Sequence, residues 1–197
     1  MPRPLRTTAR GKSHHIYSRC IEKRKMLADM FSAELLVEVI KLSQEKYDYE
    51  MIAYQIMDNH FHFMIRTLPH GQSISRIMQY IKSQFARRFN KITNRTGPFW
   101  NERFKDIVID DADNPRHYLL WLLWYLAFNP IRSWGMGDAR KFRYSSINCY
   151  LDENYRGPVR ITLHSFFMEL GRNFSERVKA FLWYEEAYRK RWAILFE

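Results

Sequence analysis

The sequence predicts an α+β fold: one antiparallel sheet of four to five strands in βαββαβ order, with additional C-terminal helices. Three observations predict it. Four short stretches are rich in strand formers, and two longer ones repeat apolar residues every three or four positions. Those stretches alternate as β-α-β-β-α-β, the split arrangement of ferredoxin-like folds. Hydrophobic residues fill 46% of the 197 positions, and seven glycines with seven prolines leave little room for disordered linkers.

The elements follow in order. Residues 1–12 form a basic arm. His14 to Arg19 is the first strand, with Ile16 and Tyr17 as its strand formers. Met26 to Glu45 carries Met30, Leu35, Leu36, Val39, Ile40 and Leu42 as one helical stripe. Tyr49 to Met57 is the second strand, Asp58-Asn59 a tight turn, and His60 to Thr67 the third strand of a hairpin. Leu68 to Gly71 breaks the pattern, and Ser73 caps a helix with Ile74, Ile77, Met78, Ile81, Phe85, Phe89 and Ile92 on its core side. Asn94 to Pro98 closes that helix, and Arg103 to Asp110 is the fourth strand. In this order the third strand is central, both crossover helices share one sheet face, and the other face is left open.

Asn114-Pro115 then starts a helix, a cap residue followed by proline at the first helical position. It is apolar nearly all round to Phe128, so it must be buried, and Pro130 ends it. Tyr144 to Tyr150 reads as a loop and a short helix. Asn173 to Glu176 resembles a capping box opening a last helix. Val178, Phe181, Leu182, Tyr188, Trp192 and Leu195 stripe that helix, which wraps the core or meets a partner.

The formal charge of +11 points to a polyanionic partner, and its placement sharpens the point. Residues 1–25 hold Arg3, Arg6, Arg10, Lys12, Arg19, Lys23, Arg24 and Lys25 against Glu22 alone. Between Asp58 and Glu102 no acidic residue occurs, while Arg66, Arg76, Lys82, Arg87, Arg88, Lys91 and Arg95 do. These stretches contain 15 of the 32 basic residues. Nucleic acid fits this better than a merely soluble basic surface. Two cysteines, Cys20 and Cys149, are too few for a disulfide scaffold. The basic N-terminus lacks an apolar signal core, and the longest apolar run, Leu119 to Phe128, is about half a membrane span. A soluble cytoplasmic protein is expected.

Within the third strand, His60-Phe61-His62-Phe63 puts both imidazoles on one face and both phenyl rings on the other. Two neutral nitrogen ligands side by side can hold a divalent ion with positions open for substrate. On spacing alone the pattern also describes an ordinary half-buried strand. In the apolar helix, Tyr125 and Asn129 stand four apart and share a face. A phenol beside an amide oxygen suits a metal-assisted nucleophile, although Tyr125 alone, one of twelve tyrosines, reads more readily as a core tyrosine. Tyr80 and Gln84 repeat the spacing on the basic helix, which keeps Tyr80 as an alternative nucleophile.

His60-Phe61-His62, Tyr125 with Asn129-Pro130, the Gly97-Pro98-Phe99-Trp100 and Arg103-Phe104 tract, and Tyr144-Ser145-Ser146 together resemble the REP-associated tyrosine transposases. These are single-tyrosine members of the HUH endonuclease and transposase superfamily. The resemblance covers about residues 13–150, read as the catalytic domain, with 151–197 a helical extension. It implies His60 and His62 as ligands of Mg²⁺ or Mn²⁺, Asn129 as third ligand and Tyr125 as catalytic nucleophile. Because that set carries no carboxylate, Mn²⁺ is expected to compete well. Metal affinity is expected to fall as the imidazoles protonate, near pH 6.5 if unperturbed. The implied activity is cleavage of single-stranded or hairpin DNA through a 5′-phosphotyrosine, leaving a free 3′-OH for strand transfer. DNA contacts are assigned to Arg6, Arg10, Lys12, Arg19, Arg66, Arg76, Lys82, Arg87, Arg88, Lys91, Arg95 and Arg103. The competing class is a non-catalytic single-stranded nucleic-acid-binding module on the same fold, and a monomer or homodimer satisfies either.

Overall fold

A computed structural model describes residues 10–194, so Arg6 and Leu195 lie outside the described residues. Four strands, β1 (Ser13–Arg19), β2 (Tyr49–Ile56), β3 (His60–Thr67) and β4 (Lys105–Val108), form one antiparallel sheet in the order β2-β3-β1-β4. The predicted hairpin and the central third strand are both present. Beyond β2, Ser145 makes a single bridge to Gln55, and the carbonyl of Tyr144 accepts from the Ile56 N–H at 3.0 Å. The sheet thus has four strands, with a single bridge beyond its β2 edge.

Helix α1 (Met30–Lys46) starts at the first residue of its stripe, four residues after the predicted Met26. Asp29 is the reason: its carboxylate accepts from the Ser32 N–H at 2.8 Å and fixes the cap there. Helix α2 (Ile74–Ile92) begins after Ser73, as its capping pattern requires. Both helices lie on the face formed by Ile16, Phe61, Phe63 and Ile65, and pack with it into one core of buried side chains. Each buried phenyl there contributes roughly 1.5–3 kcal/mol by leaving water, so the pairing that buries all three side chains of β3 is strongly favoured over a one-residue slip.

The fourth strand is shorter than predicted. Ile109–Asp111 leave it as a turn of 3₁₀ helix, because Asp110 accepts from the Ser13 N–H at 2.6 Å and Ile109 is buried under the next helix. Helix α3 (Pro115–Ala127) packs across the β2 side of the second sheet face, over Ile52, Ala53 and Met64. The face expected to be open is therefore half covered. A register shift at Ile52 turns two successive residues toward α3. Pro130 also differs from its predicted role. The chain bends at Phe128 and at once resumes as α4 (Asn129–Trp134), whose first turn accommodates the proline.

Two more helices follow, α5 (Ser165–Met168) and α6 (Phe174–Ile194). The cap is present in a modified form: Asn173 Oδ1 accepts from the Glu176 N–H at 2.9 Å, while Glu176 reaches one residue beyond the cap and accepts from the Arg172 N–H at 2.8 Å. Helix α6 wraps the core. Phe181 stacks on Trp124 at 4.9 Å between centroids, and the Trp124 indole donates to the Phe181 carbonyl at 3.1 Å. Residues 151–194 thus share a core with α3. Cys20 and Cys149 are both free thiols. Among the described residues no helix is long and apolar enough to cross a membrane.

Candidate active site

The uncovered half of the second sheet face is a cleft of about 570 Å³, lined by β1, β3, the end of α3 and the residues before β4. Sheet register builds one wall. Tyr17 lies opposite His62 and Arg19 opposite His60, so side chains at alternate positions of two neighbouring strands converge. The His60 and His62 rings stand nearly perpendicular with centroids 5.1 Å apart.

Each of these imidazoles is already engaged through Nδ1. His60 Nδ1 lies 2.6 Å from Asn59 Oδ1, and His62 Nδ1 lies 3.0 Å from His15 Nε2. If each Nδ1 carries the proton, the Nε2 lone pairs face outward as ligands, the usual orientation of metal-binding histidines. Electrostatics favour the neutral rings. Burial brings His60 down to about 4, with Arg19 adding to the effect and Asp58 opposing it. Burial brings His15 to about 4 against the pull of Asp106. His62 is only 5% exposed, and burial with the neighbouring His15, His60, Arg132 and Arg19 holds it well below its ordinary value. The expected protonation near pH 6.5 is corrected downward: these rings keep their lone pairs well into the acid range.

Helix α3 builds the opposite wall. The Tyr125 ring meets His62 edge-on at 6.0 Å between centroids. Asn129 belongs to α4, across the bend at Phe128, yet its amide still donates to the Tyr125 carbonyl at 3.3 Å. The predicted pair is therefore brought together across a helix break. A residue that sequence reasoning passed over holds both. Arg132 donates to Asn129 Oδ1 at 2.9 Å and to the Tyr125 carbonyl at 3.2 Å, and its guanidinium lies 4.3 Å over the Tyr125 ring. Its other nitrogen donates to Tyr188 Oη on α6.

The donor set fits a divalent cation in part. Two neutral imidazoles and an amide oxygen line one cleft, although one lone pair of that oxygen already accepts from Arg132. Among the described residues no cluster of three or more His, Cys, Asp or Glu side chains is arranged for a metal.

The remaining predicted residues divide. Arg19 lines the cleft. Tyr80 does not: it lies in the α1–α2 layer, edge-on to Tyr47 at 5.4 Å and under Lys46 at 5.0 Å. Arg76, Lys82 and Arg103 line a separate groove. Arg87 and Lys91 are exposed on α2, and Arg10 is exposed beside β1. Lys12, Arg66 and Arg88 pair with Asp111, Glu50 and Glu38 at 3.3, 3.5 and 2.7 Å. Such half-exposed pairs are worth about 0–1 kcal/mol, too little to withhold the cations from a phosphate backbone. Arg95 is spent locally, donating to Asn90 and to the Pro98 carbonyl. His15 and Tyr17 were legible only in part, since their alternation matches that of His60 and His62 but the pairing register does not show in sequence.

The model of the family described as transposase, IS200-like, matches residues 9–118, more than half of the chain. A Haemophilus influenzae protein bearing the name of a REP-associated tyrosine transposase is 26% identical over 118 residues, 55% of this chain and 64% of that one. The match therefore spans a little under two thirds of that relative. Among solved structures, a REP-associated tyrosine transposase bound to a REP hairpin superposes with a TM-score of 0.63 at 16% identity, covering 84% of this chain and 96% of that chain.

Proposed function

The chain belongs to the IS200-like transposase family, and on that premise we propose that it cuts and rejoins single-stranded DNA through a 5′-phosphotyrosine at Tyr125. The observation that carries the proposal is the meeting of Tyr125 with His62, and through it with His60, in one cleft. In this reading the Tyr125 oxygen attacks the scissile phosphorus, the P–O3′ bond breaks, and the phenol's proton leaves as a free 3′-OH appears. One phosphodiester replaces another, so the step reverses with the same or another 3′-OH and needs no ATP.

His60 and His62, with Asn129 as third ligand, would hold Mg²⁺ or Mn²⁺, which would polarise the phosphate. The chain's own residues do the rest. Asn59 and His15 orient the two imidazoles, Arg132 steadies the nucleophile and Asn129, and Arg19 offers a cation to the incoming backbone. Residues 13–150 carry this chemistry, and residues 151–194 buttress α3. Hairpin DNA is the proposed substrate class, by analogy with the structural neighbour's bound REP hairpin. The second reading, a non-catalytic single-stranded DNA-binding module, is favoured by one feature: Arg132 occupies the oxygen of Asn129 that a metal would need.

A labelled hairpin with single-stranded flanks, incubated with Mn²⁺, separates the two. A denaturation-resistant protein–DNA adduct is expected, lost in Tyr125→Phe and kept in Tyr80→Phe. Loss in Tyr80→Phe alone would move the nucleophile, and no adduct under any divalent metal would favour the binding module.

A further inference from the structure

Beyond β1 the chain passes through a tight turn at residues 20–24 whose backbone is unusual. Glu22 has φ 53° and ψ 23°, and Lys23 has φ 56°. Two successive residues with side chains in the left-handed region are sterically disfavoured, and such strain persists only where the surroundings hold it. Here they do. The Ile21 N–H donates to the Phe99 carbonyl at 2.8 Å, and the Arg24 N–H to the Ile21 carbonyl at 3.0 Å. The turn is also clamped against Asp58-Asn59, the hairpin turn that leads into His60. The Cys20 N–H donates to the Asn59 carbonyl and the Leu27 N–H to the Asp58 carbonyl, both at 2.8 Å, and Lys25 pairs with the Asp58 carboxylate at 3.2 Å.

One product of this clamp is the direction of the Lys23 carbonyl. It accepts from the Asn59 side-chain amide at 3.0 Å, while the other end of that amide lies 2.6 Å from His60 Nδ1. The chemistry of these atoms leaves one assignment. A backbone carbonyl can only accept, so the Asn59 atom facing Lys23 is nitrogen and the atom facing His60 is oxygen. An amide oxygen can only accept too, so His60 Nδ1 carries the hydrogen, and Nε2 of the neutral ring keeps its lone pair. His62 lacks such a chain among the described residues. Its Nδ1 faces His15 Nε2, an imidazole nitrogen that can donate or accept, and His15 Nδ1 is buried without a hydrogen bond.

We infer that Asn59 and the Lys23 carbonyl are positioning groups that set the tautomer of His60 and keep its Nε2 bare for a divalent cation. The strained turn at Glu22 and Lys23 aims that carbonyl, so a segment remote from the chemistry in sequence belongs to the outer layer of the site. The Lys23 side chain lines the same cleft, and its backbone serves His60 independently of its ammonium group. The inference rests on the reading of His60 as a metal ligand. A neighbouring acceptor that fixes the protonated nitrogen of a ligating histidine also fixes the ring's orientation, which is why loss of such a partner weakens metal binding.

The test reads the ring directly, in the metal-free full chain at about pH 8, above the ordinary histidine range. In protein carrying nitrogen-labelled histidine, the two ring-nitrogen NMR shifts report which atom is protonated, and His60 is assigned by the signals lost in His60→Gln. Unmutated protein should show the His60 hydrogen on Nδ1. Asn59→Ala should turn this into a mixture of tautomers and weaken Mn²⁺ binding, read by calorimetry, about tenfold or more. Asn59→Asp keeps an acceptor in place and should restore the hydrogen to Nδ1. Lys23→Pro, whose ring forbids the positive φ, should shift the tautomer as Asn59→Ala does, whereas Lys23→Gly, which tolerates that φ, should keep it. Hydrogen on Nε2 in unmutated protein would overturn the inference, and so would a His60 tautomer unchanged in both Asn59→Ala and Lys23→Pro. The adduct assay on unmutated protein reports separately. A tautomer that depends on Asn59 in a protein that forms no adduct would sink the cleavage reading and leave this inference standing, and an adduct with a tautomer indifferent to Asn59 would do the reverse.

Discussion

The two walls of the cleft are built by different physics. The strand wall, His15, Tyr17, His60 and His62, is fixed by backbone ladders on both sides of β3 and follows from residues close together in register. The helix wall, Tyr125 and Asn129, is fixed by side chains: α3 lies on the sheet by apolar packing, and Arg132 ties the pair to Tyr188 of α6. A ladder tolerates loss of one side chain because its hydrogen bonds are backbone. A side-chain tie does not. Disturbance far from the site should therefore reach the nucleophile more readily than the histidines.

The largest effect expected on that contrast comes from the strand wall's own chemistry. His62→Ala removes one imidazole and orphans His15, without touching the backbone ladder. Adduct formation should fall by about a hundredfold or more, while the melting temperature stays within a few degrees. Calorimetry with Mn²⁺ should show the corresponding loss of metal binding. A folded His62→Ala protein with unchanged adduct formation would remove the histidines from the mechanism.

Next is the helix wall. Arg132→Ala removes the guanidinium donor from Asn129 Oδ1 and from the Tyr125 carbonyl, which keeps the Asn129 amide, and frees the Tyr125 ring from the guanidinium above it. The adduct rate should drop about tenfold, since small misplacement of a nucleophile is costly. Mn²⁺ affinity is the sharper measurement. If it rises while the rate falls, Arg132 competes with the metal for the amide oxygen and also positions the tyrosine. A rate at or above that of unmutated protein would show that Arg132 is not a positioning residue.

The walls should also part company in acid. His15 and His60 are held near 4 by burial, and His62 is held well below its ordinary value. In the unfolded chain these imidazoles protonate near 6.5, so below that value the unfolded state gains protons that the folded state refuses. The stability they support is complete above about pH 6.5 and is lost as pH falls toward 4. His164, lowered to about 4 by burial, adds to the same trend. Thermal melts across that interval should show a falling midpoint. A His15→Gln variant, which cannot titrate, should flatten the curve. An unchanged slope would mean that His15 titrates normally.

What the sequence disclosed follows the same division. His60 and His62 could be read directly, because period two in a strand states which side chains share a face. The βαββαβ order was legible for a like reason, since each element carries its own periodicity and caps. Tyr125 and Asn129 stood out by their spacing of four, and gained weight from the Asn-Pro context and the resemblance it completes. The half-covered face was not legible: a helix that is apolar all round must be buried, but nothing in Leu119 to Phe128 says against what. Arg132 was equally silent. Its meaning lies in Tyr188, 56 residues further on, and no local pattern links the two.

That long-range tie gives the smallest expected effect and the most informative one. Tyr188→Phe deletes the hydroxyl that accepts from Arg132 and keeps the ring, which packs on Trp121 and Phe128 at 5.1 Å each. Losing one hydrogen bond to a charged group in this buried spot should cost about 1–2 kcal/mol, or a few degrees in the melting temperature at this chain length. Because Arg132 keeps its bonds to Asn129 and Tyr125, the adduct rate should fall only about two- to threefold, well short of Arg132→Ala. A rate loss equal to that of Arg132→Ala would mean that α6 sets the position of the nucleophile, making the C-terminal extension part of the catalytic apparatus. A melting shift with no change in rate would mean that α3 and α4 hold the arginine unaided, and the helix wall would then be as locally determined as the strand wall.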